Sequence, residues 1–312
     1  MRGPTRFYLQ PMDASPSDAL RFRPPLLVRL ARIPGAILSF LRPFRADPPI
    51  QCANSDSAPA PKISVVVPSH NYQDLIRQTL DSLLAQTYQN FEIVVVDDGS
   101  TDRSVEVVGE YVRRRPDLVR LHRHPGDANL GLAATLRLGA EKASGAYVAF
   151  CEADDLWMPN HLEEVVRAIQ AYGAPAWIAN DVEIFGDPWR GAKMELANAR
   201  RIRARCRRTL NRFSFAEFRR ANWILTFSAC LVARAEFLAL DFAGNPWPQH
   251  ADWWLWRQMA ARHPLVYVNR KLTAWRMHRS YVTQAQPTPE RWKRFREDMD
   301  ALLAAQMAGR RA

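Results

Sequence analysis

Phe91-Glu92-Ile93-Val94-Val95-Val96-Asp97-Asp98-Gly99-Ser100 decides the fold of this chain. Its consecutive β-branched residues form a short apolar run without polar alternation, the pattern of a strand buried on both faces of a parallel sheet. The run stops abruptly in two carboxylates and a glycine, so the chain turns where the strand ends. Upstream, Ile63-Ser64-Val65-Val66-Val67 stops in the same way at Pro68. Between the two runs, Leu75, Ile76, Thr79, Leu80, Leu83 and Leu84 recur at helical spacing. Downstream, the pattern predicts a helix from Asp102 to Arg115, a third strand over Leu118–His122, a helix over Leu130–Ala143 stopped by Gly145, and a fourth strand over Tyr147–Phe150. Strands and helices alternating through short turns predict an α/β, doubly wound, Rossmann-like domain with a mostly parallel central sheet flanked by helices. Ligands of such sheets bind beyond the carboxyl ends of the strands.

Polar residues gather at those ends. Pro68, Ser69, His70 and Asn71 follow the first strand, Asp97 and Asp98 the second, and Glu152-Ala153-Asp154-Asp155 the fourth. A single acid there reads as a helix cap, and Asp155 alone reads as a cap for the helix near Asn160. Acids at several strand ends along one edge instead point to a cation or a polar ligand. Glu152 and Asp154, two apart, suit a hard cation such as Mg²⁺ or Mn²⁺, which takes oxygen ligands and neutralises a departing diphosphate.

Four blocks in order resemble the family 2 glycosyltransferases: Val65-Val66-Val67-Pro68-Ser69-His70-Asn71-Tyr72, then Ile93 to Asp102, then Asn129-Leu130-Gly131, then Glu152-Ala153-Asp154-Asp155. The resemblance covers residues 62–180 closely and 220–285 more loosely. It implies a GT-A fold (the nucleotide-diphospho-sugar transferase fold) and inverting transfer of a sugar from a nucleotide-sugar donor, with UDP the nucleotide first expected. Carried over by position, it implies that Pro68, Ser69, His70 and Asn71 lie beside the nucleotide. Asp98 or its neighbour Asp97 would hydrogen-bond the base or ribose, and Gly99 would allow the tight turn between. Asn129 and Gly131 would start a helix beneath the nucleotide, although Asn is also a favoured N-cap. Asp154 matches the metal-binding acid of the D-x-D motif, Glu152 stands where its first Asp is usual, and the resemblance implies that Glu152, Asp154 and Asp155 all border the nucleotide-sugar. His250-Ala251-Asp252-Trp253-Trp254-Leu255-Trp256 resembles the E-D-x-x-L-W block, which makes Asp252 the general base; Ala251 stands where that block often has Glu. Without the resemblance, Asp252 reads as the cap of a Trp-rich helix. Trp275 to Ser280 resembles a later block that implies His278 as a metal ligand and Arg276 as a contact to the diphosphate.

The remaining features set the context. The 312 residues carry a net charge of +11, which favours anionic partners. Arg and large apolar residues alternate over 19–46, and arginines recur from Arg200 to Arg212. Either segment suits an anionic membrane surface; the first reads equally as a disordered tail or a strap packed on the domain, and the second reads first as a solvated helix face, with anionic lipid or the diphosphate of a lipid-linked acceptor as its functional alternative. No nucleic-acid motif is present, so none is expected as a partner. Cys52, Cys151, Cys206 and Cys230 form no C-x-x-C pair and read as reduced thiols. With no spanning apolar stretch, the expected location is the cytoplasm, peripheral on the membrane's cytoplasmic face if the basic segments bind lipid. We expect a basic extension over 1–46, a linker over 47–61, the catalytic domain over 62–285 (a nucleotide half to 180 and an acceptor half from 181), and a helical tail over 286–312. The acceptor expected is a glycan or lipid-linked glycan of the bacterial envelope. Two rivals are a non-catalytic membrane scaffold and a nucleotidyltransferase; the second lacks a Gly-rich phosphate loop near the first strand.

Overall fold

The computed structural model describes residues 60–186, 188–206, 208–220, 222–245, 250–277 and 289–309. The N-terminal extension, all of the expected linker before Ala60, Cys52, Arg207 and His278 lie outside them.

Every residue of β1 (Ile63–Ser69) and β2 (Phe91–Asp97) is buried, as their unbroken apolar runs require. Between them, α1 (Ile76–Leu84) turns Ile76, Thr79, Leu80 and Leu83 inward, the i, i+3, i+4, i+7 stripe of a surface helix. Next come α2 (Ser104–Arg114), β3 (Val119–Arg123), α3 (Leu132–Lys142) and β4 (Tyr147–Phe150), each within two residues of its expected bounds. These strands lie in the order β3-β2-β1-β4, all parallel, with Ser69 opposite Asp97. The carboxyl ends of β1, β2 and β4 therefore share one edge.

Beyond β4 the sheet becomes mixed. The chain continues as β5 (Leu156–Trp157), α4 (His161–Tyr172), β6 (Trp177–Gly186), α5 (Pro188–Arg205), β7 (Leu210–Phe213), α6 (Phe215–Arg220), β8 (Cys230–Ala233), α7 (Arg234–Leu238), α8 (Ala251–Arg262), β9 (Leu265–Met277) and α9 (Pro289–Gly309). β8 inserts antiparallel to both β4 and β6. β9 runs parallel to β6 and carries β5 and β7 antiparallel on it. The mostly parallel expectation thus holds from β3 to β4 and gives way after it. A parallel neighbour would start from the amino edge; the chain after β6 does reach that edge along β7, but it then returns to the carboxyl edge before entering β8. That return lays residues 222–229 along the carboxyl edge.

Each sheet face has its own core. One holds Leu80, Val108 and Val165 from α1, α2 and α4. The other holds Leu136, the tryptophans of α8, and Phe295, Met299 and Leu303 of α9. Arg257 of α8 is fully buried and joins three helices: it pairs with Asp300 at 3.0 Å and donates to the carbonyls of Arg219 at 3.1 Å and Arg296 at 3.3 Å. Cys151, Cys206 and Cys230 are free and buried. Among the described residues, no helix is long and apolar enough to cross a membrane.

Glu92 holds the opposite, amino-terminal side of the sheet together. It accepts from the Ser64 hydroxyl at 2.6 Å, from the Ser144 N–H at 2.7 Å and hydroxyl at 2.9 Å, and pairs with Lys62 at 3.2 Å and with Arg120. Burial pushes its carboxyl up, but the bonds from Ser64, Ser144 and Lys62 outweigh burial and hold it at about 2, below the ordinary 4.5. A carboxyl lowered in this way stabilises the fold above its unfolded value, and that contribution disappears as pH falls from about 4.5 through 2. Glu92→Gln is expected to lower Tm at pH 7 and to lose less further stability than wild type between pH 5 and 2. Thermal unfolding across that range tests this; identical pH profiles would remove the role.

Candidate active site

The rim of the site is laced by side chains at the ends of β1 and β2. Asn71, with φ of 59°, accepts through Oδ1 from the N–H of Thr101 at 2.8 Å and donates its own N–H to Ser100 at 2.9 Å. His70 Nδ1 lies 2.8 Å from the Asp98 carbonyl. The two adjacent aspartates divide their work. Asp98 accepts from the N–H of Leu130 at 2.7 Å and of Gly131 at 3.0 Å, which closes the loop that begins α3. Asp97, 2% exposed, accepts the Ser100 N–H through Oδ2 at 3.0 Å, while its buried Oδ1 has no partner among the described residues. The buried Ser69 hydroxyl, on the residue paired with Asp97, has none either. Buried polar atoms left unsatisfied are costly unless a ligand or water completes them.

The structure corrects the capping readings here. Gly131, with φ of 84°, holds the N-cap position of α3, and no side chain caps it. Asn129 instead turns its amide to His70, at 3.2 and 3.3 Å from the two ring nitrogens. Gly99 is required on two grounds: its φ is 72°, and a Cβ would come within 2.8 Å of the Asp127 carbonyl oxygen and 2.9 Å of the Asn129 nitrogen. Gly99→Ala is expected to push the 127–131 loop off the rim and weaken nucleotide binding at least ~10-fold, of the order that a strained backbone position costs. Titration of the donor against wild type and variant checks it; equal affinity would contradict it.

The acidic turn after β4 lies at the same edge. Asp155 does not cap α4, whose N-cap is Asn160. It is fully buried, with Oδ1 accepting the Arg276 N–H at 2.8 Å and Oδ2 receiving the Thr226 hydroxyl at 3.1 Å. That hydroxyl also lies 2.6 Å from Glu152 Oε2. Burial, Asp154 and Glu152 raise the Asp155 carboxyl well above its ordinary value. Glu152 reaches about 7, through burial, the Asp154 charge and the Asp252 charge, against a lowering bond from Thr226. Tyr72, half-buried, hydrogen-bonds the Asp154 side chain; burial and then the charges of Asp154 and Glu152 raise its phenol. Arg276 braces the turn from β9, donating Nε to the Asp154 carbonyl at 2.7 Å and Nη2 to Gln78 at 2.8 Å, with its guanidinium 4.5 Å from the centre of the Phe185 ring.

Asp252 reaches this turn from the far side. α8 feeds a strand antiparallel to itself, so its first turn starts at the carboxyl edge, and Asp252 is in that turn. Its carboxylate receives the Asn222 amide at 2.8 Å and the Trp253 N–H; burial raises it above the ordinary carboxylate value. The cap reading is corrected: His250 holds the N-cap position of α8, no side chain caps it among the described residues, and Asp252 is the second residue of the helix. The same residue also stands close enough to the acidic turn for its charge to raise Glu152.

Asn222, Thr226 and Tyr72 are site residues that the sequence reading did not select. Tyr72 stood inside a recognised block. Asn222 and Thr226 lie in an irregular segment with no periodicity to mark them. The Arg200–Arg212 run is less available to anions than its charge suggests. Arg201 donates to Asn198 at 3.1 Å and to the Asn222 carbonyl, and stacks 5.1 Å from the Trp223 ring. Arg205 binds Glu217 and the Arg212 carbonyl, the latter at 2.6 Å. Among the described residues, no three His, Cys, Asp or Glu side chains converge as a complete metal cage.

Residues 64–231, more than half of the chain, match the family model described as Glycosyl transferase family 2. The chain is 38% identical over 109 residues to an uncharacterized glycosyltransferase of Nostoc sp., a stretch covering 35% of this chain and 33% of that protein. It is 36% identical over 104 residues to a putative teichuronic acid biosynthesis glycosyltransferase, TuaG, of Bacillus subtilis, covering 33% and 40%. The matched stretch therefore spans well under half of these relatives. Among solved structures, S. aureus TarS 1–349 in complex with UDP-GlcNAc superposes with a TM-score of 0.57 at 18% identity, over 78% of this chain and 66% of that one. The mannosyltransferase PcManGT of Pyrobaculum calidifontis, in complex with GDP-Man and Mn²⁺, does so with a TM-score of 0.50 at 19% identity, over 81% and 67%.

Proposed function

Because the chain belongs to glycosyl transferase family 2 and has the GT-A fold, we propose that it transfers a sugar from a nucleotide-sugar to a hydroxyl of a glycan or lipid-linked glycan. One observation carries this reading: Asp252 and the Glu152–Asp155 turn, far apart in sequence, are bridged by one segment, whose Asn222 donates to Asp252 at 2.8 Å and whose Thr226 hydroxyl lies 2.6 Å from Glu152 and 3.1 Å from Asp155. The unsatisfied Ser69 hydroxyl and Asp97 Oδ1 support a donor subsite on the same edge. Pro68 to Asn71 and Asp97 to Gly99 line the nucleotide, with Asn129 and Gly131 across from them. Residues 62–180 form the donor half and 181–285 the acceptor half.

In the transfer step Asp252 accepts the proton of the acceptor hydroxyl. The acceptor oxygen bonds to the anomeric carbon as the bond to the diphosphate breaks, and the nucleoside diphosphate leaves with that electron pair. A single displacement of this kind inverts the anomeric centre. Burial makes Asp252 more basic than a solvated carboxylate, which matches the task of a general base. The donor set suits a hard cation, since buried acids crowd one another at the turn. Asp154 would hold it, together with phosphate oxygens of the donor and His278, and it would supply charge neutralisation of the leaving diphosphate. UDP is the nucleotide proposed first, because the TarS structure holds a UDP-sugar. Envelope polysaccharide is the proposed setting, as the name of TuaG suggests.

The test is a thermal-shift screen of the full chain against UDP-, GDP-, dTDP- and CMP-sugars, each with Mn²⁺ and with chelator. A donor at a hundred times its Kd stabilises by about 2.7 kcal/mol. A shift confined to one nucleotide class supports the reading and names the base; no shift with any donor, with and without an acceptor glycan present, overturns it.

A further inference from the structure

A file of hydrogen bonds between polar side chains, passing once through the main-chain carbonyl of Asn222, crosses the second half of the molecule and ends on Asp252. Asp181, at the register slip between β6 and β9, accepts the Asn198 amide at 2.9 Å. Asn198, buried on α5, accepts Arg201 Nη2 through Oδ1 at 3.1 Å. The other end of that guanidinium, Nη1, donates to the Asn222 carbonyl. Asn222 accepts the Ile224 N–H through Oδ1 at 3.1 Å and donates Nδ2 to Asp252 Oδ2 at 2.8 Å.

The direction of every link is set by chemistry. A carboxylate only accepts and a guanidinium only donates, so the Asn198 amide has a single satisfying orientation between Asp181 and Arg201. Asn222 is fixed likewise: its oxygen is held by a backbone N–H, which turns its NH₂ toward the Asp252 carboxylate. Arg201 is held on its flat side by Trp223, the residue next to Asn222. Asp181 is itself pinned by the Val182 N–H at 2.9 Å and the Tyr267 hydroxyl at 3.3 Å. The file therefore starts on the sheet and ends on the carboxylate, without a link that is free to rotate.

We propose that Asn222, anchored through Arg201 and Asn198 to Asp181, is the positioning residue that fixes the Asp252 carboxylate toward the acceptor hydroxyl. This rests on the reading of Asp252 as the base. The file makes two contributions. It removes rotamers of Asp252 that would point the carboxylate away, and it places an N–H donor, rather than water, on one oxygen. Reaction rates respond steeply to such placement: an error of about 1 Å costs on the order of 100-fold.

The experiment uses the full chain as wild type, Asn222→Leu (similar in shape, without a donor), Asn222→Gln (donor kept, reach changed) and Arg201→Gln (anchor removed). Crystal structures show where Asp252 points. Turnover of the sugar nucleotide selected from the UDP-, GDP-, dTDP- and CMP-sugar panel is followed as nucleoside diphosphate release. In Asn222→Leu, Asp252 is expected in a different or split rotamer, with kcat down about 100-fold and donor KM unchanged. Asn222→Gln is expected to recover part of the loss, and Arg201→Gln to lose less than Asn222→Leu. An unmoved Asp252 in Asn222→Leu overturns the proposal whether or not turnover is measurable, as does a fall in donor affinity and Tm without any change in kcat. Full activity of Asp252→Asn would instead overturn the base assignment and leave the positioning geometry standing.

Discussion

Asp252→Asn is expected to bind the sugar nucleotide as tightly as wild type and to transfer it about 1,000-fold more slowly, within the range a general base contributes. The substitution is nearly isosteric, and its carbonyl oxygen can still accept the Asn222 amide that now meets Asp252 Oδ2, so the fold at the start of α8 is preserved. What disappears is the oxygen basicity that takes the acceptor proton. Among the described residues, those of the proposed donor subsite at the ends of β1 and β2 make no hydrogen bond to Asp252, so donor affinity has no reason to change. Burial raises the Asp252 carboxyl. Wild-type transfer should therefore fall, as pH is lowered, at a pH above the ordinary aspartate value, because the base becomes protonated there. The asparagine variant should lack that acid limb. Calorimetric titration of the donor, with nucleoside diphosphate release measured from pH 4 to 8, checks all three statements. Lost donor binding, or transfer within 10-fold of wild type, would remove Asp252 from the role.

The second large effect falls on the metal-dependent part of donor binding. Asp154→Ala is expected to abolish it, so that affinity with Mn²⁺ equals affinity with chelator. The side chain is buried at the turn, with Tyr72 hydrogen-bonded to it and with its own carbonyl held by Arg276. The turn therefore survives removal of the carboxylate, because Asp155 and Arg276 still brace it. Wild type should show a donor stabilisation that chelation largely removes, of about 2.7 kcal/mol at a hundred times Kd, and the variant should show none of that difference. An unchanged Mn²⁺ response in Asp154→Ala would mean that the cation, and with it the D-x-D assignment, belongs elsewhere.

The first half of the domain was legible because its signals are local. Ile93 to Val96 are consecutive and β-branched, and a strand buried on both faces needs no more than that to be recognised. The stripe from Ile76 to Leu83 likewise names both the helix and its inner face. The strand ends then follow from topology, so Ser69, Asp97 and Asp154 could be placed at one edge before any coordinates. The alternative reading of Asn129 and Asp155 as helix caps is plausible locally, but in the fold His70 takes Asn129, and Thr226 and Arg276 take Asp155. Local preference is worth about 1 kcal/mol, less than burying a charged carboxylate without partners would cost. In the arginine run, nothing in the spacing shows that Arg201 stacks on Trp223.

By itself, then, the sequence determined the α/β architecture of the first four strands, the edge on which their carboxyl ends gather and the acids that stand there, because strand and helix periodicity are properties of consecutive residues. Only the tertiary structure decided which side chains serve the site and which serve the fold. β8 had to enter antiparallel before residues 222–229 could lie over the acidic turn, α8 had to start at that same edge before Asp252 could feel Glu152, and Asn222 became part of the site only through partners distant in sequence. Hydrogen bonds between distant residues follow from how strands are ordered and directed, and that order is set by the burial of whole faces, which no short stretch of sequence contains.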